Sequence, residues 1–263
     1  MPTAPANGIE IYYERRGDGP RLLFFNGSGA TLASAALLLD PFADRFDVLA
    51  FDQRGLGRTS IPPGPYEMSD YAADAAALLD HVGWETCRVV GISFGGMVAQ
   101  EFAVTHPERV ERLALVCTSP GGEHSSYPLH ELESMTPEEL AAVGSTLIDT
   151  RFTAEYLATH EADRTLAELA AQRRAAPSAG DVRRGERAQL DARSRHDVLD
   201  RLHRITCPTL ITSGRYDGIA PPANSEEIAA RVPEAELRCY EGGHLFLVQD
   251  PTAMPRILEF LSS

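Results

Sequence analysis

The chain has 263 residues, of which 43% are hydrophobic and 24% charged, a composition that fits a folded globular protein and excludes a disordered one. Its 38 acidic residues outnumber its 24 basic residues, and the net charge of −14 argues against a nucleic-acid partner because it repels phosphate backbones. No apolar run approaches the roughly 20 residues of a membrane span, and no signal-peptide pattern opens the chain. We therefore expect a cytoplasmic protein with no membrane partner, and the oligomeric state stays open.

Short apolar runs bounded by turn residues predict strands that are buried on both faces. A less apolar strand comes first, at residues 9–14, and a turn-like stretch after it predicts an antiparallel strand at the sheet edge. The buried runs cover residues 21–26, 47–52, 87–92, 112–117 and 208–213. Helical patterns alternate with these runs, and another lies at residues 254–261. Strands that alternate with helices predict an α/β fold, with a mostly parallel sheet and helices on both faces.

The alternation stops between about residues 122 and 204, where the pattern is helical only. Thr136 and Glu139 form the capping box of one helix there, with Pro137 at its first position. A helical insertion therefore interrupts the predicted α/β core. The predicted domains are a core of residues 1–122 and 205–263 and a helical cap of residues 123–204.

The motif Gly91-Ile-Ser-Phe-Gly95 follows a predicted strand and opens a helix, which is the context of a nucleophile elbow. Glycines allow a tight turn that holds the serine in a strained backbone conformation. Such a turn lifts Ser93 above the sheet edge at the N-terminus of a helix. The alternative is a glycine-rich turn whose serine has no function, and the strand–turn–helix context favours the nucleophile.

A serine hydroxyl is a weak nucleophile without a base, so a histidine and an orienting carboxylate should follow it. Asp217 comes just after the predicted strand at 208–213, and His244 follows two glycines after a strand-like run at 235–240. Each of them alone fits an ordinary turn residue. Because the ends of parallel strands share one sheet edge, the order Ser, Asp, His predicts a catalytic triad.

A site for acyl transfer also needs two backbone N–H groups that bind the oxyanion. We expect one from Phe94, the residue after the nucleophile. The glycine-rich loop after the first central strand should supply the other, from Ser28, with Asn26 and Gly27 next to the substrate. The alternative for this loop is a plain turn between a strand and a helix.

No motif predicts a cofactor or a metal site. The cysteines are too far apart for metal-ligand spacing and fit small core residues in a reducing compartment; they are Cys87, Cys117, Cys207 and Cys239. The glycine-rich stretch 52–60 looks like a phosphate loop but lacks the Gly-Lys-Ser/Thr ending. We predict that it holds a turn beside the active site.

Together these motifs resemble those of the α/β-hydrolase superfamily over essentially the whole chain. The matching residues are Gly27-Ser-Gly29, Asp52-Gln-Arg-Gly-Leu-Gly57, Gly91-Ile-Ser-Phe-Gly-Gly96, Asp217 with Pro221, and Gly243-His244. The stretch from Gln189 through His196-Asp197 to Pro208 is similar to the branch of the 3-oxoadipate enol-lactonases. The resemblance implies an α/β-hydrolase fold with a Ser-Asp-His site under a helical cap. Many relatives carry His-Gly where this chain has Asn26-Gly27.

We therefore predict an enzyme, a serine hydrolase that cleaves a small-molecule carboxylic ester or lactone through an acyl-enzyme and without a cofactor. Ser93 would attack, His244 would move the proton and Asp217 would orient His244. Hydrolysis of a carbon–carbon bond and cofactor-free perhydrolysis use the same triad and stay open. A ligand receptor on the same scaffold is a further alternative.

The charges of the predicted cap bear on the substrate. Residues 123–168 hold ten acidic residues and two arginines, whereas residues 169–204 hold nine arginines and five acidic residues. Arginines paired with neighbouring acids on a solvated face are the simplest interpretation, and Arg187 fits it. Alternatively Arg183, Arg187 or Arg195 binds a substrate carboxylate, with Arg187 as the candidate. Because the net charge disfavours anions, we expect a neutral or weakly polar ester, with an anionic lactone second.

Overall fold

The computed structural model describes residues 2–175 and 179–263, which contain an eight-stranded sheet with helices on both faces. The strands are β1 (Thr3–Ala6), β2 (Ile9–Arg16), β3 (Arg21–Phe25), β4 (Asp47–Phe51), β5 (Cys87–Ile92), β6 (Val110–Val116), β7 (Thr209–Gly214) and β8 (Glu236–Tyr240). The helices are α1 (Leu32–Ala43), α2 (Met68–His81), α3 (Phe94–Thr105), α4 (Pro137–Ile148), α5 (Ala154–Thr159), α6 (Glu161–Ala175), α7 (Gly180–Ser194), α8 (Pro222–Arg231), α9 (Phe246–Gln249) and α10 (Ala253–Ser262). Within these ranges, none of the helices has the length and apolar character needed to cross a bilayer.

The sheet has the strand order β1-β2-β4-β3-β5-β6-β7-β8. The strands β3 to β8 run parallel, which confirms the predicted fold class, and β2 is antiparallel to both of its neighbours. The prediction that the strand at residues 9–14 lies at the edge is wrong. Asn7 and Gly8 both have positive φ and form the turn that pairs β1 with β2, so β1 takes the edge position.

Apolar layers cover both faces of the sheet, because successive side chains of each strand point to opposite faces. In β3, Leu23 and Phe25 join the layer formed with α2, α3 and α8, whereas Leu22 and Phe24 join the layer formed with α1 and α10. Burial on both faces explains why the central strands read as continuous apolar runs. It also leaves the loops at the strand ends as the place for polar chemistry.

Between β6 and β7 the described residues form helices and turns and add no strand to the sheet, as the helical pattern predicts. The capping box of α4 is formed, with the Thr136 amide donating to Glu139 Oε2 at 2.8 Å. We call residues 123–204 the helical segment. Its residues 176–178 lie outside the described part of the chain.

His196 is buried where the helical segment returns to the core, and neither of its ring nitrogens has a hydrogen-bond partner among the described residues. Burial lowers its pKa to about 4; the nearby charges of Glu101 and Asp197 oppose this shift, and those of Arg201 and Arg193 add to it. A histidine in an unfolded chain titrates near 6.5. The folded pKa is the lower of the two. The contribution of neutral His196 to the free energy of unfolding is therefore fully present above about pH 6.5 and is lost as the pH falls towards 4.

We expect the free energy of unfolding to fall by roughly 2–4 kcal/mol over that interval because of His196 alone. His196→Leu, an apolar side chain of similar size, should remove this part of the acid-induced loss. Urea unfolding at several pH values measures it, with the exposed His160→Gln as the matched control. Parallel pH profiles for the wild type and His196→Leu would show that His196 does not carry the effect.

Candidate active site

Ser93 stands at the turn between β5 and α3, with a φ of 55° that is uncommon outside glycine. Backbone packs closely around it: a Cβ atom on Gly95 would lie 2.2 Å from the Phe25 carbonyl oxygen, and one on Gly91 would lie 2.4 Å from the Gly95 carbonyl oxygen. The Ser93 amide donates to the Val116 carbonyl at 2.8 Å. The predicted elbow is therefore present, and only glycines leave room for it.

His244 lies between Ser93 and Asp217. Its Nε2 atom is 3.0 Å from Ser93 Oγ, and its Nδ1 atom is 2.8 Å from Asp217 Oδ2. An ionised carboxylate only accepts hydrogen bonds, so Nδ1 carries a proton and a neutral imidazole presents a bare Nε2 to the serine hydroxyl. The structure brings these three predicted residues into one hydrogen-bonded series, through which the hydroxyl proton can pass to His244.

Asp217 follows β7 and its side chain is fully buried. Its Oδ1 atom accepts hydrogen bonds from the Ile219 and Ala220 amides, both at 2.8 Å. A buried carboxylate needs such partners, and these two fix its orientation. The second oxygen, Oδ2, is thereby aimed at His244.

Cys117 is a neighbour of the triad that we did not predict from the sequence. Its sulfur, a carboxylate oxygen of Asp217 and a ring nitrogen of His244 all lie within 4.8 Å of one another. Burial raises the pKa of the Cys117 thiol well above its ordinary value, so the thiol is neutral at pH 7. We interpret it as packing against the Asp217–His244 pair. The rule that placed Asp217 at the sheet edge would have placed Cys117 there too, because it follows β6.

The loop after β3 lies against the elbow, and a Cβ atom on Gly27 would be 3.7 Å from the Cβ atom of Ser93. In the described part of the chain, neither the Ser28 amide nor the Phe94 amide donates to a protein acceptor. Two backbone donors beside a nucleophile are what an oxyanion hole requires. Both amides are thus unengaged in the described residues, which is compatible with the predicted oxyanion hole.

Asn26 lies in the same loop, directly before Gly27, and is buried. Its side-chain amide donates to the Thr31 carbonyl at 3.4 Å, and the backbone carbonyl of Asn26 accepts from Gln53 Nε2 at 2.8 Å. Farther along the loop, the Gly29 amide donates to Gln189 Oε1 at 2.8 Å, which ties the loop to α7. These contacts hold the loop in shape, and a contact between Asn26 and the substrate stays a prediction.

The stretch 52–60 forms a structural turn that packs against the end of the loop between β3 and α1. Asp52 Oδ1 accepts from the Leu32 amide at 2.7 Å, at the first turn of α1, and Oδ2 accepts from the Arg58 amide at 2.9 Å. A Cβ atom on Gly57 would overlap the Asp52 carboxylate, so the turn needs glycine there. The stretch joins the end of β4 to the start of α1.

Of the three arginines that we considered as ligands of a substrate carboxylate, Arg187 and Arg195 have acidic partners, and Arg183 is exposed. Arg187 lies 2.7 Å from Glu133 and 3.0 Å from Asp191, with 47% of its side chain exposed. Arg195 lies 3.2 Å from Glu67. These are the contacts of a solvated face, which supports the simpler interpretation for Arg187; its contact with a substrate stays a prediction.

The fold and the site together define the class of protein. The family model for the alpha/beta hydrolase fold matches residues 20–251, and the chain belongs to that family. The expectation of an enzyme of the hydrolase class is thereby confirmed.

The sequence and the structure are also similar to those of individual hydrolases. A poly(3-hydroxyalkanoate) depolymerase of Ectopseudomonas oleovorans is 32% identical over 248 residues, 91% of this chain and 83% of that one. The 3-oxoadipate enol-lactonase 2 of Acinetobacter baylyi is 27% identical over 260 residues, 98% and 94% of the two chains. Among solved structures, the enol-lactonase from Burkholderia xenovorans has a TM-score of 0.82 at 24% identity and covers 100% of both chains. That last likeness is one of fold.

Proposed function

We propose that this protein is a serine hydrolase that cleaves a small-molecule carboxylic ester or a lactone through an acyl-enzyme. The observation that carries the proposal is the hydrogen-bonded series Ser93–His244–Asp217 at a nucleophile elbow. The relatives named as a depolymerase and an enol-lactonase support ester-type substrates. Serine at the elbow disfavours the dehalogenases and epoxide hydrolases, which use aspartate there.

The mechanism follows from the geometry. Ser93 Oγ attacks the substrate carbonyl carbon while His244 Nε2 accepts the hydroxyl proton. The amides of Phe94 and Ser28 stabilise the negative charge that develops on the carbonyl oxygen. His244 then protonates the leaving alkoxide, which leaves Ser93 acylated. Water then attacks the acyl group while His244 accepts its proton, and His244 returns this proton to Ser93 Oγ as the bond to the acyl group breaks and the carboxylic acid leaves. Asp217 holds the imidazole in both steps and stabilises its charged form.

The helical segment serves as a cap over this site in our proposal, on a core of residues 1–122 and 205–263. Its helix α7 contacts the loop after β3, because Gln189 accepts a hydrogen bond from the Gly29 amide. The same helix packs on the core so closely that a Cβ atom on Gly185 would overlap the Gly55 carbonyl oxygen. A cap docked in this way shapes the space above Ser93 and limits the entry of water.

The charges favour a neutral or weakly polar ester as the substrate. The net charge of −14 opposes the approach of anions, and Arg187 and Arg195 already lie against carboxylates. A substrate carboxylate that binds either of these arginines would have to displace the carboxylate already there.

A matched pair of p-nitrophenyl esters, one neutral and one ending in a carboxylate, tests the proposal. We expect sustained turnover of many equivalents of ester per chain, with the higher kcat/KM for the neutral ester. A single stoichiometric burst with lasting retention of the ligand would instead identify a receptor.

Arg187→Gln is the control for the choice between the two esters, and it should leave their ratio of kcat/KM unchanged. If the wild type prefers the carboxylated ester and Arg187→Gln removes that preference by about tenfold or more, Arg187 binds the substrate and an anionic lactone is favoured.

A further inference from the structure

A short stretch of the helical segment, residues 146–151, lies between the two loops that carry the acid and the base of the triad. On one side, the His244 amide donates to the Ile148 carbonyl at 2.6 Å. On the other side, the Thr150 amide donates to the carbonyl of Tyr216, the residue before the triad acid, at 2.8 Å. We call residues 146–151 the bridging stretch.

The bridging stretch fits these loops backbone to backbone. A Cβ atom on Gly243 would lie 2.0 Å from the Ile148 carbonyl oxygen, and one on Gly218 would lie 2.4 Å from the Thr146 carbonyl oxygen. Atoms do not approach so closely, so any side chain at either glycine would push the stretch and the loop apart. A shift of either loop away from the helical segment would therefore have to break these backbone contacts.

Asp149 lies at the centre of the bridging stretch with a fully buried side chain. Its carboxylate accepts from Arg151 Nε at 2.9 Å and Nη2 at 2.7 Å, and from Gln249 Nε2 at 3.0 Å. The Oε1 atom of Gln249 accepts from the amide of Gly243 at 2.9 Å. A path of hydrogen bonds thus leads from Asp149 to the residue that precedes His244.

Arg151 makes the corresponding contact on the other side. Its guanidinium lies over the ring of Tyr216 at 4.0 Å, next to Asp217 in the chain. Hydrogen bonding to Asp149 raises the pKa of Arg151 and keeps it charged. One buried carboxylate therefore holds a partner towards each triad loop, Arg151 towards the acid and Gln249 towards the base.

We propose that Asp149, together with Arg151 and Gln249, positions the triad by fixing the His244 loop relative to the Asp217 loop. These three are positioning residues, because they act through the loops and not on the reacting atoms. The proposal rests on the proposed function, in which His244 is the base. Misplacement of a reacting group by about 1 Å can cost about 100-fold in rate, so a fixed separation of the loops matters for the chemistry. The helical segment is then part of the catalytic apparatus as well as a cover.

Asp149→Ala and Gln249→Leu test this at a temperature well below unfolding. We expect each to lower kcat by about 10- to 100-fold with KM unchanged. Since both lie on one path, the double variant should lose little more than the worse single variant. Asp149→Asn keeps an oxygen acceptor and should recover part of the loss. A second readout is the rate at which a fluorophosphonate labels Ser93, located by mass spectrometry, and it should fall in parallel.

Glu101→Ala is the matched control, because it also removes a largely buried carboxylate that holds an arginine, Arg201, in a bidentate pair. It should lower stability and leave the labelling rate unchanged. If Asp149→Ala and Gln249→Leu are labelled at the wild-type rate, the positioning role is wrong. If the wild type itself is not labelled at Ser93, the proposed function fails instead. Should Asp149→Ala not fold, Gln249→Leu and Asp149→Asn decide the matter.

Discussion

Ser93→Ala should fold like the wild type and lose hydrolysis by a factor of about 10⁴ or more. The change removes a single oxygen, the proposed nucleophile, and leaves the Cβ atom that the elbow already accommodates at a φ of 55°. Steady-state kcat with the better of the two p-nitrophenyl esters measures the loss, and thermal unfolding checks the fold. Substrate binding should persist, because the change leaves the proposed oxyanion amides and the proposed cap untouched.

Ser225→Ala is the matched control for this loss. Ser225 is buried in α8 and its hydroxyl has no partner in the described residues, so its removal should leave kcat near the wild-type value. A Ser93→Ala protein that kept more than about a tenth of the wild-type kcat would refute the nucleophile assignment.

Asp217→Asn should be slower than the wild type by about 10³- to 10⁴-fold. The amides of Ile219 and Ala220 would still donate to the Asn oxygen, which turns the Asn amino group towards His244. Nδ1 must then accept a hydrogen bond, so the proton of a neutral imidazole moves to Nε2. That tautomer cannot take the proton of Ser93.

The pH profile of kcat/KM separates this explanation from a simple change of titration. A wrong tautomer persists at every pH, so Asp217→Asn should be slow throughout. Asp74→Asn is the control, since Asp74 is a buried carboxylate paired with Arg54 and should affect stability only. If Asp217→Asn reached the wild-type rate at high pH, another group would orient His244.

Much of this protein could be predicted from its sequence, because the decisive patterns are local or follow from strand geometry. Buried apolar runs that alternate with helices specify a parallel sheet, and the glycines around Ser93 specify a strand–turn–helix elbow. Asp217 and His244 could be placed with Ser93 because residues that follow parallel strands meet at one edge. The dipeptide Asn7-Gly8 is typical of a hairpin turn, so an additional edge strand before β2 was also predictable from the sequence.

Other features were decided only by the tertiary structure. Arg187 pairs with Glu133, 54 residues away in the chain, so its periodicity on α7 could not show that the guanidinium was already engaged. Asp149 reaches Gln249 across 100 residues, and no motif marks either of them. Hydrophobic periodicity specifies which face of an element is buried. It does not specify which remote polar groups meet there, because those contacts depend on how the helical segment packs onto the loops of the sheet.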